Sequence, residues 1–526
     1  MTTADIDIEK ATQGVTIQNA QPDPAPKSED NPKPYSSITK SRLRRLQLLL
    51  GLATITSPLT ANIYFPLLPL LRQHFDTSAQ AINLTLTIYI IFQGISPVIF
   101  GPLSDYYGRR PMFLITLLLY AVGNLGLSLN DRSYAALLVL RSVQSLGASA
   151  AYAISFGVVA DLCHSSERGR MLGPINMALN LGSCIGPIAG GAVAYKSQSY
   201  AWVFYSLVIV GVILFVGVGL FLPETARNLV GDGSDPSRFN NWQLSWVQLI
   251  RQHIKRDRTD QQKVKTGLPG QRENESTTRN YTFKIFLDCF RIIFHKDTIL
   301  ALWIHGSFYL AGYGFLTALP DIYTNYGFNE LYVGLAYLPR GIGIIASNYS
   351  TGRIMDHNYR ITAKEIGWTT DKATGDDLFR FPIEKARTRW SYWMLAISTG
   401  GMIGYGWAVQ SRVHIAVPLI LQFLEGFWIT FFYTTYSALL VDSFPQSPST
   451  AAAATSVTRT VLAAAGVAIL QPLVDAAGRG WYFTLLGLGS GVFGSVAVFL
   501  LRRNGMAWRR KRNGLDPNVS DLGSRS

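Results

Sequence analysis

Long apolar runs recur along most of the chain, and no other feature limits the fold so tightly. Residues 46–71, 81–101 and 202–222 carry no charged side chain. As helices rising 1.5 Å per residue, runs of this length cross about 30 Å of hydrocarbon. Backbone polar groups inside lipid must be paired within their own segment, so the runs must be helices. Charged residues make up only 15% of the 526 residues, against about 25% in soluble domains.

The pattern predicts an all-α membrane protein with twelve transmembrane helices. The expected spans are 46–70, 80–102, 111–129, 134–161, 169–195 and 201–222, then 298–320, 330–351, 390–409, 413–441, 449–474 and 480–502. They form a six-helix half at 42–222 and a second at 298–502, joined by a polar loop at 223–297. A polar insertion at 352–389 interrupts the second half. Residues 1–41, rich in Pro, Asp and Ser, are expected to be a disordered tail, and 503–526 a short C-terminal tail.

Lys40, Arg42, Arg44, Arg45, Arg168, Arg170 and Arg509–Arg512 all fall on one side of this topology. The positive-inside rule makes that side cytoplasmic, with both termini there. The formal charge of +14 therefore reads as topology and contact with anionic lipid, not as nucleic-acid binding. Cys163, Cys184 and Cys289 have no paired spacing, so neither a disulfide framework nor a metal site is expected. Nucleophile elbows, phosphate loops and metal-ligand clusters are absent from the sequence, which argues against an enzyme.

The halves repeat each other. Gly101-Pro-Leu-Ser-Asp105-Tyr-Tyr-Gly108-Arg109-Arg110 follows span 2, and Gly352-Arg-Ile-Met-Asp356-His-Asn-Tyr-Arg360 follows span 8. Asp161 closes span 4 as Asp442 closes span 10. Paired landmarks of this kind mark a transporter built from two pseudo-symmetric halves. Aligning Asp161 with Asp442 sets Gln422 opposite Arg141 and Glu425 opposite Gln144, so the Arg141 charge belongs to one half only. An intramembrane charge should face a cavity or a partner. Arg340 and Arg459 can bind a carboxylate or hold a helix interface, and Glu425 can carry a proton or pair with an arginine. Asn62, Tyr64, Gln93, Asn176 and Asn180 complete the expected cavity.

The Gly101–Arg110 segment resembles the loop signature of the major facilitator superfamily, matching at Gly101, Leu103, Asp105, Gly108, Arg109 and Arg110. The resemblance implies the twelve-helix fold and a cytoplasmic latch in which Asp161 joins Asp105 and Arg109, with Asp356 and Asp442 as counterparts. Gly173, Gly182, Gly186, Pro187, Gly190 and Gly191 match the span 5 motif of drug:proton antiporters, which implies export. Arg141 and Gln144 match the span 4 motif loosely, since Ser145 stands where a glycine is usual. In the family that arginine is linked to proton transfer. Segments such as Asn62–Pro66, Leu222–Thr225 and Phe381–Arg387 are similar to fungal twelve-span drug:proton antiporters, in the branch of quinidine-resistance-type and citrate or itaconate exporters.

The resemblance implies a monomeric plasma-membrane antiporter. It would use protons as coupling ion, with no other cofactor, and a small-molecule substrate. The arginines favour a di- or tricarboxylate-like acid. Multidrug or secondary-metabolite efflux, proton-coupled uptake and a transporter-like sensor are the other readings.

Overall fold

The computed structural model describes residues 40–162, 165–230, 244–250, 291–367, 381–444 and 448–515. These residues form helices joined by short turns. α1 covers Ser41–His74. It bends where Pro58 and Pro66 remove backbone donors, and Phe65–Leu67 tightens into a 3₁₀ turn. The first half continues through α2 (Ala79–Tyr107), α3 (Arg109–Leu129), α4 (Tyr134–Leu162), α5 (Ser165–Ser197) and α6 (Ala201–Phe221). In the second half, α7 is Lys296–Thr324, and α8 is Glu330–Leu335 running on into Leu338–Glu365. α9 is Ser391–Gln410 and α10 is Ala416–Ser443. One continuous stretch, Pro448–Arg512, breaks at Gly478, whose φ of 82° no helix tolerates, into α11 (448–477) and α12 (479–512).

Nine of the described helical stretches are long and apolar enough to span a membrane. Splitting the last at Gly478 and adding the more polar α8 and α9 gives the twelve expected. The helix pairings repeat with an offset of six. α1 packs on α5 as α7 packs on α11, α2 on α4 as α8 on α10, and α3 on α6 as α9 on α12. The halves meet through α2 with α11 and through α5 with α8, and these two pairs exchange under the same offset. Leu118, Val122 and Leu125 on α3, Ile209 and Ile213 on α6, and Val492 and Phe493 on α12 are exposed. In water such a belt would be a liability, whereas lipid suits it.

Two boundaries differ most from expectation. α8 continues past Gly352 to Glu365, so the first part of the expected insertion 352–389 is helix, and residues 368–380 of it lie outside the described set. α12 continues past 502 to Arg512, so much of the expected tail is helix. Ion pairs carry both extensions. Glu365 pairs with Lys385 and Arg389. Arg509 pairs with Glu384, and Arg512 pairs with Asp297 while donating to the Ser443 carbonyl at 2.9 Å. Reading apolar runs stops at the first charges, so it ended both helices early. The long tail 1–39 is also outside the described residues.

Candidate functional site: a cavity between the halves

At the basic end of the first half, Gly108 turns the chain from α2 into α3 with φ 105° and ψ 150°, a region open essentially to glycine. Arg109 is nearly buried. Its Nε donates to Asp161 at 2.9 Å, it pairs with Asp105 one turn back, and its Nη1 donates to Ser104 Oγ at 2.8 Å. All of these partners belong to the same half. Arg110 is buried beside it. It donates to the Leu222 carbonyl at 3.0 Å and the Gly219 carbonyl at 3.1 Å.

Glu224 was not expected to contribute. Its carboxylate accepts from the backbone N–H groups of Arg109 (2.8 Å) and Arg110 (3.2 Å), capping the free donors and positive dipole end of α3. A Cβ on Gly108 would collide with that carboxylate. Gly108→Ala is therefore expected to destabilise the protein by about 1–3 kcal/mol. Thermal unfolding of the solubilised chain reads this, and an unchanged midpoint would contradict it.

The second half does not mirror the arrangement. Asp442 pairs with Arg387, whose Nη2 donates at 2.9 Å. Asp356, expected as the counterpart of Asp105, is exposed and makes no ion pair among the described residues, because α8 carries on through it as a surface helix.

The glycines of α5 bring helices together. A Cβ on Gly182 would lie 3.0 Å from the Ile55 carbonyl oxygen, and one on Gly186 would lie 3.0 Å from the Leu59 carbonyl oxygen, both on α1. Gly190 meets Ile63 of α1, and Gly191 meets Glu330 of α8. Pro187 approaches Gly334 of α8 from the same side. Thus α5 joins its own half on one face and the other half on another. The surroundings of Gly173 and the side chain of Asn176 lie outside the described set.

Between the halves lies a cavity of about 630 Å³. Away from the basic end it is closed by α5 on α8, by Gln80 donating to the Ala468 carbonyl at 2.8 Å, and by Phe65 stacked on Tyr337 at 6.2 Å. It extends the other way, as far as Asn348, Val441 and Asp442 near the basic end. Asn62, Gln93, Pro97, Asn180, Arg340 and Arg459 line it.

Tyr64, Arg141, Gln144 and Gln422 do not line it, which corrects the expectation. Arg141 is fully buried one layer behind the wall. Its guanidinium carbon sits 3.9 Å from the Tyr64 ring centre and 4.3 Å from that of Tyr89. Nη1 donates to Gln144 at 2.6 Å, and Gln144 donates to Asn124 at 2.6 Å. Nε and Nη2 of Arg141 have no hydrogen-bond partner among the described residues. Gln422 donates to Tyr323 (3.0 Å) and Tyr405 (3.2 Å) inside the second half. Glu425 also avoids the cavity. It is buried against Gly401 of α9, accepts from Ser398 Oγ at 3.5 Å through Oε2, and leaves Oε1 unpartnered.

Sequence reasoning missed the aromatic wall. Tyr309 and Tyr313 lie one turn apart on α7, and Tyr152 and Tyr433 join them. The four-residue spacing on α7 was a usable signal. Arg459 Nη1 donates to the Tyr433 hydroxyl at 2.6 Å, and Nη2 reaches Ser456 at 3.4 Å. The Arg340 side chain makes no hydrogen bond to any described residue, and its Nε is buried without a hydrogen-bond partner among them.

A sequence model of the Major Facilitator Superfamily matches residues 50–469. The chain belongs to this superfamily. It is a multi-pass membrane transporter and not an enzyme. Among curated relatives, the MFS-type transporter phiD of a fungal species (strain ATCC 74256) is 34% identical over 92% of this chain and 72% of its own length. Citrate exporter 1 of Aspergillus niger is 32% identical over 91% of this chain and 89% of its own length. The fold matches the partially occluded inward-open xylose transporter XylE of E. coli, with a TM-score of 0.56 and 14% identity, over 88% of this chain and 99% of that one. At that identity the likeness concerns the fold alone. Superfamily members bind small-molecule substrates, and the central cavity is where this chain has room for one.

Proposed function

We propose that this transporter exports a small organic acid from the cytoplasm in exchange for protons, by alternating access. The observation that carries the reading is the pair of cavity arginines, Arg340 and Arg459, neither of which has a carboxylate partner among the described residues. A buried cation without a counter-charge is costly, and a bound carboxylate supplies the missing partner. The glycine and proline pattern of α5 and the similarity to a citrate exporter support export. The basic loops support a cytoplasmic position for both termini, and the proposal takes the transporter as a monomer at the plasma membrane. The tyrosine wall favours one competing reading, efflux of an apolar drug or secondary metabolite.

In this mechanism the halves rock about the cavity, sliding at α2 with α11 and α5 with α8. In this reading Glu425 carries the proton, and Arg141, held behind the cavity wall by Tyr64 and Tyr89, takes part in the coupling. Proton-driven transport into vesicles tests the coupling. Arg141→Ala is expected to abolish gradient-driven transport in a protein that still elutes as a folded species. Glu425→Gln keeps an amide beside Ser398 but has no carboxylate to protonate, so transport should become insensitive to the pH gradient. Undiminished gradient-driven transport by both variants would overturn the assignment.

A further inference from the structure

We infer that the cavity takes an amphiphilic organic anion, with at least two acid groups on an apolar or aromatic body, and not a small wholly polar acid. The inference rests on the organic-anion reading above and narrows it. Charge in the cavity is one-sided. The wall from the first half offers Ser57, Asn62, Gln93 and Ser149 and no ionised side chain. The wall from the second half carries Arg340, Arg459 and Asp442, and Asp442 is already neutralised by Arg387. Glu425 makes no ion pair with Arg340 among the described residues. Two guanidinium groups therefore face the cavity with no carboxylate in ion-pair contact among the described residues, although Glu425 lies near enough to Arg340 to act on it electrostatically.

The two are close enough for one molecule to reach both. The Arg459 guanidinium lies 5.1 Å from the Tyr309 ring centre. A Cβ on Gly312 would lie 3.1 Å from Arg340 Nη2. Tyr309 and Gly312 are three residues apart on α7 and so share a face within one turn. Arg459 is also held in place beforehand. Tyr433 accepts its Nη1 proton, and the Tyr433 backbone carbonyl in turn accepts from His305 Nδ1 at 3.0 Å, with the two rings stacked at 4.7 Å. A fixed guanidinium binds a planar carboxylate without an ordering cost.

The rest of the space suits an apolar body. A cavity of about 630 Å³ is far larger than a six-carbon tricarboxylate, and falls in the range of sites for drug-sized ligands. Tyr152, Tyr309, Tyr313, Tyr433, Leu316 and Ile429 form much of its wall. The Tyr309 and Tyr433 rings stand 5.7 Å apart at 27°, too close to admit a third ring between them. The body of the ligand must lie along this wall. A wholly polar acid would leave the aromatic surface facing water, and an uncharged molecule would leave the guanidiniums unpaired.

Calorimetric titration of the purified full chain at constant ionic strength tests this with four probes. Phenylsuccinate has two acids and a ring, benzoate one acid and a ring, and citrate three acids and no apolar body. Tetraphenylphosphonium is an apolar cation. Phenylsuccinate is expected to bind at least about tenfold tighter than benzoate or citrate, the worth of one further charge-assisted bond or buried ring. Arg340→Gln and Arg459→Gln should each erase the margin over benzoate while circular dichroism and gel filtration stay unchanged. The wild-type order decides by itself if either variant misfolds. Citrate or benzoate binding as tightly as phenylsuccinate, or no binding of phenylsuccinate, overturns the inference alone. Tetraphenylphosphonium binding where no anion binds overturns the organic-anion reading with it.

Discussion

Replacing Arg459 with alanine is expected to slow acid export by about 10- to 100-fold, the worth of a charge-assisted hydrogen bond of about 1.5–3 kcal/mol. The guanidinium is a preset anion receptor. Tyr433 holds it at 2.6 Å, Ser456 steadies it at 3.4 Å, and Tyr309 lies beneath it. Alanine removes the charge and leaves these groups facing an empty corner. Arg459→Lys keeps a cation but cannot reproduce the planar fork, so it should fall between the two. The readout is the export rate from cells, normalised to protein at the membrane. Export by the alanine variant at the parent rate would remove Arg459 from the substrate site.

The largest stability effect is expected at the basic end of the second half, where Glu384→Ala should cost about 3–5 kcal/mol. Arg509 and Glu384 have side chains 1% and 4% exposed. Arg509 Nε donates to Oε1 at 2.8 Å, and Nη2 donates to Oε2 at 3.1 Å and to the Phe381 carbonyl at 2.8 Å. Truncating the acid takes both carboxylate bonds away from a buried guanidinium. Replacing both partners, with Glu384→Leu and Arg509→Met, should restore most of the loss, because neither charge is then left without its mate. Thermal unfolding of the solubilised protein distinguishes the cases. Equal midpoints for the parent and Glu384→Ala would show that the pair does not hold α12 to the segment before α9.

Helix number, the two halves and their order were legible because those signals are one-dimensional. An uncharged run needs no neighbour to be read, and the Gly101–Arg109 and Gly352–Arg360 segments announce the repeat by spacing alone. Helix rotation is not one-dimensional. Arg141 and Arg459 look alike in sequence, each a lone arginine in an apolar helix. One is stacked behind Tyr64 and Tyr89, and the other lines the cavity. Lipid and core both accept apolar side chains, so the sequence pattern leaves the facing of each helix undetermined. Asp356 misled for a related reason. It shares the spacing of Asp105, but α8 runs on through it, whereas Gly108 ends α2 just beyond Asp105. Glu224 escaped notice because its partners at the start of α3 lie 115 and 114 residues away in the chain.

The most direct test profiles organic acids in the medium of cells expressing this chain, with and without a protonophore, against an Asp105→Asn control. Asp105 pairs with Arg109 beside the Gly108 turn, so its loss should stall the cycle without touching the cavity. The account predicts that an organic acid accumulates outside cells carrying the parent chain, that the protonophore abolishes this, and that the control shows none. Medium identical for parent and control, or accumulation indifferent to the proton gradient, would contradict proton-driven export of an organic acid.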